Sequence, residues 1–330
     1  MTKVPRFVVF AFSLVVLVAS FVGPIAAQDP VDLSQIKVGL SMYTLGAPYF
    51  AAQAAAVQDA ANELGFNLVS VEAGNDLNKQ LADVEDLLAQ GIDVLILNPK
   101  DPVGAIPATR AAAAAGVPVF IIDSSIDPSA DFVTTVQSNN LANGEAVGNW
   151  LANRMGDTPI NMALLSGSQG NPVGKERRQG VFRGLIEQQL LNRNTSGFEI
   201  AAQGWGEWSE EGGINAMEDI LVANPDINVL LCENDSMCLG AMRAIADAGL
   251  TEQILVLAAA DGQKEALELI ATGEYGATGL NDPALVARTA VNLMVEYLNG
   301  RTDFPKVSYT PATAIIQENV ADFYNPDAVF

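Results

Sequence analysis

The chain has 330 residues, enough for about two domains of ordinary size, which excludes a single small module. Hydrophobic residues make up 49% and charged residues 17%, a balance too apolar for a disordered chain. The formal net charge of -22 argues against binding to nucleic acid, because both partners would be anionic. The absence of His removes the commonest general base and a frequent zinc ligand, which argues against most hydrolases and zinc enzymes.

The N-terminal segment has the composition of a targeting signal. Lys3 and Arg6 precede an apolar run over 7–22, which is followed by the small pair Ala26 and Ala27. We predict a signal peptide over 1–27, cleaved after Ala27, and an uncleaved membrane anchor is the alternative. No Cys lies near the cleavage point, so we expect no lipid anchor and a mature chain that is not inserted in a membrane.

Cys232 and Cys238 are the two cysteines of the sequence. An exported chain meets an oxidising compartment, where pairing is feasible. However, Cys232 ends an apolar strand pattern and Cys238 lies just inside the next helix pattern, where small apolar side chains pack well. We expect two buried, unpaired cysteines, with a disulfide as the alternative.

From Ile36 onward, short aliphatic runs alternate with Ala-rich segments of helical length, which is the rhythm of βαβ units. Several runs are apolar throughout, as is typical of parallel strands covered by helices on both faces. The pattern predicts an α/β fold with two doubly wound, Rossmann-like parallel sheets, divided near residues 138–140. The ten predicted strands cover 36–42, 67–72, 93–98, 117–123, 132–137, 160–166, 198–202, 228–232, 254–259 and 275–279, and helices cover 49–64, 79–90, 140–154, 212–223, 237–248 and 283–298.

Polar residues follow the apolar runs, at the edge where open parallel sheets bind ligands. An Asn or Asp after a strand is also an ordinary turn or cap residue, so the interpretation depends on the repetition of the pattern in both halves. Carboxylates, amides and a guanidinium suit a neutral ligand with many hydroxyl groups, and aromatic rings suit the C–H faces of a sugar. The candidates are Asn98, Asp123, Ser124, Asn234, Asp261 and Asn281 after strands, the aromatic residues Tyr49, Phe50, Trp205 and Trp208, and Arg177 as a charged donor, whereas Asp235 and Asp282 are predicted to cap helices.

No motif predicts a cofactor, a metal site or an enzyme. The sequence contains neither a G-x-S-x-G nucleophile elbow nor the carboxylate spacing of a calcium loop. Residues 170–176 have three rather than four residues between the glycines and Glu where a phosphate loop needs Ser or Thr.

Four segments together resemble the ribose-binding group of type I periplasmic sugar-binding proteins: 46–50, 83–99, 116–118 with Asp123, and 233–235 with 239–241. The resemblance extends over nearly all of 36–320. It implies a first lobe of 36–138 with 283–312 and a second lobe of 139–282 with 313–330, joined by three crossovers. It also implies a periplasmic, non-enzymatic protein that encloses a sugar or polyol by hinge closure and delivers it to the permease subunits of an ABC transporter. We expect a monomer.

The resemblance also implies residue roles, and three departures from the ribose-binding pattern bear on specificity. Ala47 stands where ribose binders have Asn, Ser124 where they have Arg, and Asn281 where they have Gln. The loss of two strong donors favours another pentose, a hexose or a linear polyol over ribose. A sugar or signal-molecule receptor for chemotaxis is the alternative function. The implied ligand contacts are Tyr49, Phe50, Asn98, Asp123, Arg177, Trp208, Asn234, Asp261 and Asn281.

Overall fold

A computed structural model describes Thr2 and residues 30–330. The predicted signal peptide, 1–27, lies outside the described residues apart from Thr2. The chain divides into the units Met1–Val31 and Asp32–Phe330, and the fold below is that of the second unit.

The described part of this unit contains twelve strands and nine α-helices. The strands are β1 (Lys37–Met42), β2 (Asn67–Glu72), β3 (Val94–Asn98), β4 (Val119–Ile122), β5 (Thr134–Ser138), β6 (Asn161–Ser166), β7 (Glu199–Trp205), β8 (Val229–Cys232), β9 (Leu255–Ala258), β10 (Ala277–Gly279), β11 (Val307–Thr310) and β12 (Ala314–Ile316). The helices are α1 (Pro48–Leu64), α2 (Leu77–Ala89), α3 (Ile106–Ala114), α4 (Asn140–Met155), α5 (Pro172–Arg193), α6 (Glu210–Ala223), α7 (Asp235–Asp247), α8 (Lys264–Thr272) and α9 (Pro283–Leu298).

The first lobe is built on a six-stranded parallel sheet in the order β11-β5-β4-β3-β1-β2. Its central strand β3 shows why the sequence is apolar without alternation. Val94 and Ile96 face the core made with α1 and α9, while Leu95 and Leu97 face the core made with α2 and α3. Helices therefore cover both faces, and the sheet is doubly wound.

The second lobe repeats this arrangement on a four-stranded parallel sheet in the order β7-β6-β8-β9. Alternate residues of β8 pack into two cores. One core lies on the face covered by α6, α7 and α8, and the other lies on the face covered by α4 and α5. The helices α4 and α5 pack with their backbones in contact. A β-carbon on Gly148 of α4 would lie 2.1 Å from the carbonyl oxygen of Val181 in α5, so this contact requires glycine.

The chain passes between the lobes three times, after β5, after β10 and after β11. Strand β10 lies beside β9, since the Gly276 amide donates to the Val256 carbonyl at 2.8 Å, and it pairs antiparallel with β12. These crossings confirm the predicted two-lobed α/β fold with parallel sheets. The lobe boundaries, 36–138 with 283–312 and 139–282 with 313–330, stay a prediction.

The sequence does not predict two of the strands, β11 and β12, and several predicted strands are shorter in the structure. Strand β11 has four residues and is largely polar, and β12 has three apolar residues, too short a run to predict a strand. The strand predicted over 117–123 covers only Val119–Ile122. Its end is set by Asp123, whose φ of 64° leaves the extended conformation.

The expectation of unpaired cysteines is wrong, because Cys232 and Cys238 form a disulfide. Cys232 ends β8, Cys238 lies near the start of α7, and their Cα atoms are 5.6 Å apart, within the usual range for a bridge. Both cysteines are buried in the second lobe, as predicted. The short connection between strand and helix gives the two residues this proximity, which strand and helix patterns alone did not reveal.

Candidate functional site

A cavity of about 150 Å³ lies at the carboxyl ends of the strands, between the two lobes. Nine of the ten predicted site residues line it together. They come from the start of α1, the end of β4, helix α5, the loops after β7, β8 and β9, and the crossover after β10. They are Tyr49, Phe50, Asp123, Ser124, Arg177, Trp208, Asn234, Asp261 and Asn281.

Asn98 does not line this cavity. It ends β3 as predicted, but it is fully buried beneath α1. Its Nδ2 donates to Gln53 Oε1 at 2.9 Å, and its carbonyl accepts from Gln80 Nε2 at 2.8 Å. The structure thus places Asn98 in a polar network that joins α1, α2 and β3 rather than among the cavity-lining side chains.

On the first-lobe side, Tyr49 has a polar as well as an aromatic role. Its hydroxyl lies 2.8 Å from Asp123 Oδ1 and 3.0 Å from Asn281 Oδ1. Burial raises the pKa of this phenol, and the negative charge of Asp123 raises it further, so the hydroxyl keeps its proton and donates. Phe50 packs edge-on against Tyr49, with ring centroids 5.4 Å apart. Pro48 and Ala47, which precede them at the start of α1, also line the cavity.

On the second-lobe side, Arg177 is buried and makes three polar contacts with the protein. Its Nη2 lies 2.8 Å from Asp261 Oδ1, its Nε donates to Asn140 Oδ1 at 3.0 Å, and its Nη1 donates to the Glu233 carbonyl at 2.9 Å. A buried guanidinium with an anionic partner and two further acceptors is held in one orientation. This geometry makes Arg177 a rigid, charged donor at the cavity wall.

Asn281 joins the two sides. It lies in the crossover after β10, accepts from Tyr49 and donates from Nδ2 to Asp261 Oδ1 at 2.8 Å. A continuous hydrogen-bonded chain therefore connects Asp123, Tyr49, Asn281, Asp261 and Arg177 across both lobes and the crossover.

Trp208 is held in a backbone conformation that bulky residues rarely adopt, with φ of 62°. Asn234 Nδ2 donates to its carbonyl at 3.2 Å, and the Arg177 guanidinium lies 5.7 Å from the ring centroid. The indole also packs tightly on Gly167, where a β-carbon would lie 2.0 Å from a ring atom. By contrast Trp205, the other aromatic candidate of this loop, is 39% exposed and does not line the cavity.

The two aspartates predicted to be caps behave differently. Asp282 caps α9 by accepting from two backbone amides, as predicted. Asp235 does not cap α7, because that position belongs to Asn234, whose Oδ1 accepts from Met237 N. Asp235 is instead fully buried and its Oδ2 accepts from three successive backbone amides, which start at Asp261. It positions the loop that carries Asp261.

Burial raises the pKa of Asp123 above its usual range, and the negative charge of Asp261 acts in the same direction. The hydrogen bond from Tyr49 and the positive charge of Arg177 oppose this shift. The Asp123 carboxyl therefore takes up a proton at a higher pH than an exposed aspartate does.

The wall of the cavity includes residues that the sequence analysis did not name. Asn140 follows β5 just as the other candidates follow their strands, so the same rule could have found it. Asn171 caps α5 and does not directly follow a strand, so the same rule does not extend to it. Phe330 lies outside every strand and helix, and no sequence signal pointed to it. The full set of unnamed lining residues with polar or aromatic side chains is Tyr43, Ser138, Asn140, Asn171, Ser236 and Phe330.

This arrangement suits binding of a neutral polar molecule rather than catalysis. Carboxylates, amides and a guanidinium alternate as acceptors and donors, and aromatic rings supply flat apolar faces. Within the described residues, no group of His, Cys, Asp and Glu side chains could hold a metal ion. In the same part of the chain, no helix is both long and apolar enough to cross a lipid bilayer.

Comparison with known proteins decides the family. The profile described as a periplasmic binding protein domain matches residues 38–302. The chain belongs to the periplasmic binding protein family. This membership agrees with the two-lobed fold and with the resemblance found in the sequence, and it places the chain among binding proteins rather than enzymes.

Individual members of the periplasmic binding protein family resemble this chain over most of their length. The ribose import binding protein of Bacillus subtilis (strain 168) is 32% identical over 297 residues, covering 89% of this chain and 93% of that protein. An ABC transporter solute-binding protein from Mycobacterium smegmatis, solved with bound glycerol, is 29% identical with a TM-score of 0.77, covering 89% and 98% of the two chains. A periplasmic solute-binding protein from Actinobacillus succinogenes 130z, solved with bound D-allose, is 26% identical with a TM-score of 0.78, covering 88% and 100%.

Proposed function

We propose that this chain is the solute-binding protein of an ABC importer and binds a monosaccharide or a related polyol in the cavity between its lobes. The carrying observation is that nine predicted residues from both lobes and a crossover line one cavity. Carboxylates at Asp123 and Asp261 accept from ligand hydroxyls, Arg177 donates to ligand oxygens, and Trp208 covers a C–H face. The bound ligand is delivered to the permease subunits in the membrane.

The volume of the cavity supports a ligand with a single ring. A cavity of about 150 Å³ accommodates a molecule of the size of benzene. A pentose or hexose has one ring of this size with hydroxyl groups that reach the polar wall, whereas a disaccharide has two rings. We therefore propose a monosaccharide or a polyol of comparable length.

Three positions in the wall favour a ligand other than ribose. Ala47 and Ser124 supply no strong donor where the ribose-binding pattern has Asn and Arg, and Asn281 is shorter than the corresponding Gln. In addition, Asn281 is engaged with both Tyr49 and Asp261, so little of its hydrogen-bonding capacity is left for a ligand. We propose another pentose, a hexose or a linear polyol.

The direct test is titration calorimetry of the purified chain against a panel of pentoses, hexoses, polyols and disaccharides. We expect tight binding of at least one monosaccharide or polyol and no binding of disaccharides. Charged solutes such as amino acids serve as controls for unspecific binding. Failure to bind every sugar and polyol in the panel would contradict the proposed function.

We also propose export to the periplasm by a signal peptide over 1–27, with no lipid anchor, and a monomeric mature chain. The support is the composition of this segment together with family membership. Mass spectrometry of the exported protein tests this proposal. A chain that begins at Gln28 and carries no lipid mass is expected, whereas an intact or lipid-modified N-terminus would contradict it.

Tyr49→Phe is expected to weaken ligand binding about ten-fold, because the Asp123 and Asn281 oxygens lose a shared donor in a buried site. The ring and its contact with Phe50 are retained, so the effect isolates the hydroxyl. Tyr309→Phe is the matched control, since Tyr309 is 53% exposed on β11 and does not line the cavity. Equal affinity of the wild type and Tyr49→Phe by calorimetry would show that the hydroxyl has no role.

Ligand affinity is expected to fall when acidification protonates Asp123. An ionised Asp123 accepts hydrogen bonds from ligand hydroxyls, and protonation removes this capacity. Because burial raises the pKa of Asp123, protonation begins at a higher pH than for an exposed aspartate. Affinity is therefore full above the raised pKa and is lost as the pH falls through it.

The measurement is calorimetry between about pH 7 and about pH 4.5, a range that lies above the ordinary aspartate pKa of about 3.9. Asp123→Asn is expected to bind more weakly at neutral pH and to lose this part of the pH dependence. A wild-type affinity that stays constant over the range, or the same dependence in Asp123→Asn, would contradict the prediction.

A further inference from the structure

Residues 325–330 form a segment that we call the strap. Just before it, Tyr324 is tied to the second lobe, where its hydroxyl donates to Glu268 Oε1 of α8 at 2.7 Å. Within it, the Ala328 carbonyl accepts from Lys264 Nζ, at the start of α8, at 2.9 Å. A turn with a hydrogen bond from Ala328 N to the Asn325 carbonyl shapes the middle of the strap. These contacts anchor the strap on the second lobe.

The end of the strap nevertheless lies against the first lobe. The Phe330 ring packs edge-on against Tyr49, with ring centroids 5.4 Å apart and an interplanar angle of 86°. A second cavity of about 470 Å³ is lined by the strap together with Ala52 and Asp59 of α1 and Leu267 of α8. The strap therefore lies across the boundary between the lobes, beside the ligand cavity.

Phe330 also lines the ligand cavity itself. It is partly buried although it belongs to no strand or helix. The ring that it contacts, Tyr49, carries the hydroxyl shared by Asp123 and Asn281. Phe330 thus lies at the cavity wall and, at the same time, supports the tyrosine that connects the polar groups of the two lobes.

We propose that Phe330 contacts the ligand, so that the strap of the second lobe completes the cavity wall against the first lobe when the cleft is closed. This inference rests on the proposed function, because it assigns a residue to the same ligand site. An aromatic ring at this place offers an apolar face to ligand C–H groups and keeps water from the hydrogen bonds around Tyr49. It also limits the length of ligand that the cavity accepts.

Two consequences follow for binding. Loss of the ring opens one wall of the cavity, so the ligand leaves faster while its association rate changes little. Loss of the ring also enlarges the cavity, so the affinity for larger ligands rises relative to the affinity for smaller ones. Phe330 would then determine specificity as well as affinity.

The test compares the whole chain with Phe330→Ala, using calorimetry for affinity and stopped-flow tryptophan fluorescence for the dissociation rate, with the tightest ligand of the sugar and polyol panel. Phe330→Ala is expected to weaken binding about ten-fold, mainly through faster dissociation, and to raise the affinity for hexoses relative to pentoses. Phe330→Leu, which keeps bulk but lacks a flat ring, should lie between the two.

Val329→Ala is the matched control, because Val329 is the neighbouring strap residue, is 72% exposed and does not line the ligand cavity. It should bind as the wild type does. If the whole chain binds no sugar or polyol, the proposed function fails and this inference fails with it. If the whole chain binds a ligand but Phe330→Ala binds it equally well, or Val329→Ala loses as much affinity, only the role of Phe330 is overturned.

Discussion

Asp261→Ala is expected to weaken ligand binding by more than about 2 kcal/mol, because it removes a charged hydrogen-bond acceptor from the cavity. It also removes the anionic partner that holds the Arg177 guanidinium in one orientation. The side chains of Asp261 and Arg177 are only 9% and 6% exposed, so the substitution leaves a buried guanidinium without its anionic partner. We expect the free energy of unfolding to fall by about 3 kcal/mol for this reason. The fold should persist, since Arg177 keeps its bonds to Asn140 and to the Glu233 carbonyl.

Calorimetry gives the affinity of this variant, and urea unfolding gives its stability. Asp157→Ala is the control, because the Asp157 side chain is 99% exposed and takes part in only a long ion pair. Asp261→Asn removes the negative charge but keeps the shape of the side chain, because an amide oxygen can still accept the hydrogen bond from Asn281. Unchanged affinity in Asp261→Ala would mean that the ligand binds elsewhere.

Trp208→Ala is expected to weaken binding by more than about 2 kcal/mol while the fold stays intact. The indole lines the cavity and has defined contacts with Gly167, Arg177 and, through its carbonyl, Asn234. Its loss removes the apolar surface on which the ligand would lie. It also removes the ring that contacts the Arg177 guanidinium. The effect therefore combines lost contact area with a less rigid donor.

Trp205→Ala provides a closely matched control for this second prediction. Trp205 ends β7 three residues earlier, is 39% exposed and does not line the cavity. We expect the Trp205→Ala variant to bind the ligand with the affinity of the wild type and to unfold at nearly the same temperature. If Trp205→Ala loses as much affinity as Trp208→Ala, the assignment of the aromatic wall is wrong.

Much of the fold was predictable, because strands buried on both faces leave a strong signal in the sequence. Strand β3 is apolar at every position except its last, Asn98, and alternate residues fill two separate cores. Strand β11 is largely polar and β12 has only three residues, so neither gives a strong signal. They form because a parallel neighbour, β5, and an antiparallel neighbour, β10, supply hydrogen bonds, and such partners are not visible in a local pattern.

The site was predictable to the extent that one rule describes it. Residues after parallel strands meet at one sheet edge, and this rule brought Asp123, Asn234, Asp261 and Asn281 to the same cavity. It did not distinguish side chains that enter the cavity from one that turns beneath a helix, as Asn98 does. That difference depends on side-chain partners in α1 and α2.

Other features depend on contacts between segments that are distant in sequence. The sequence predicts that Asp235 caps a helix, but its carboxylate instead binds the backbone of the loop that carries Asp261, 26 residues later. Phe330 reaches Tyr49 across 281 positions of the chain (330 minus 49) without belonging to a strand or helix. No periodicity or spacing encodes such contacts, so only the folded structure reveals them.

The central claim is that side chains from both lobes surround one uncharged ligand in the cavity that contains Tyr49 and Trp208. The most direct test is a crystal structure of the chain with the tightest ligand of the sugar and polyol panel. We predict one ligand between the lobes, with hydroxyl groups hydrogen-bonded to Asp123 and Asp261 and a C–H face on Trp208. A ligand bound outside this cavity, with these side chains still engaged only with each other, would contradict the account.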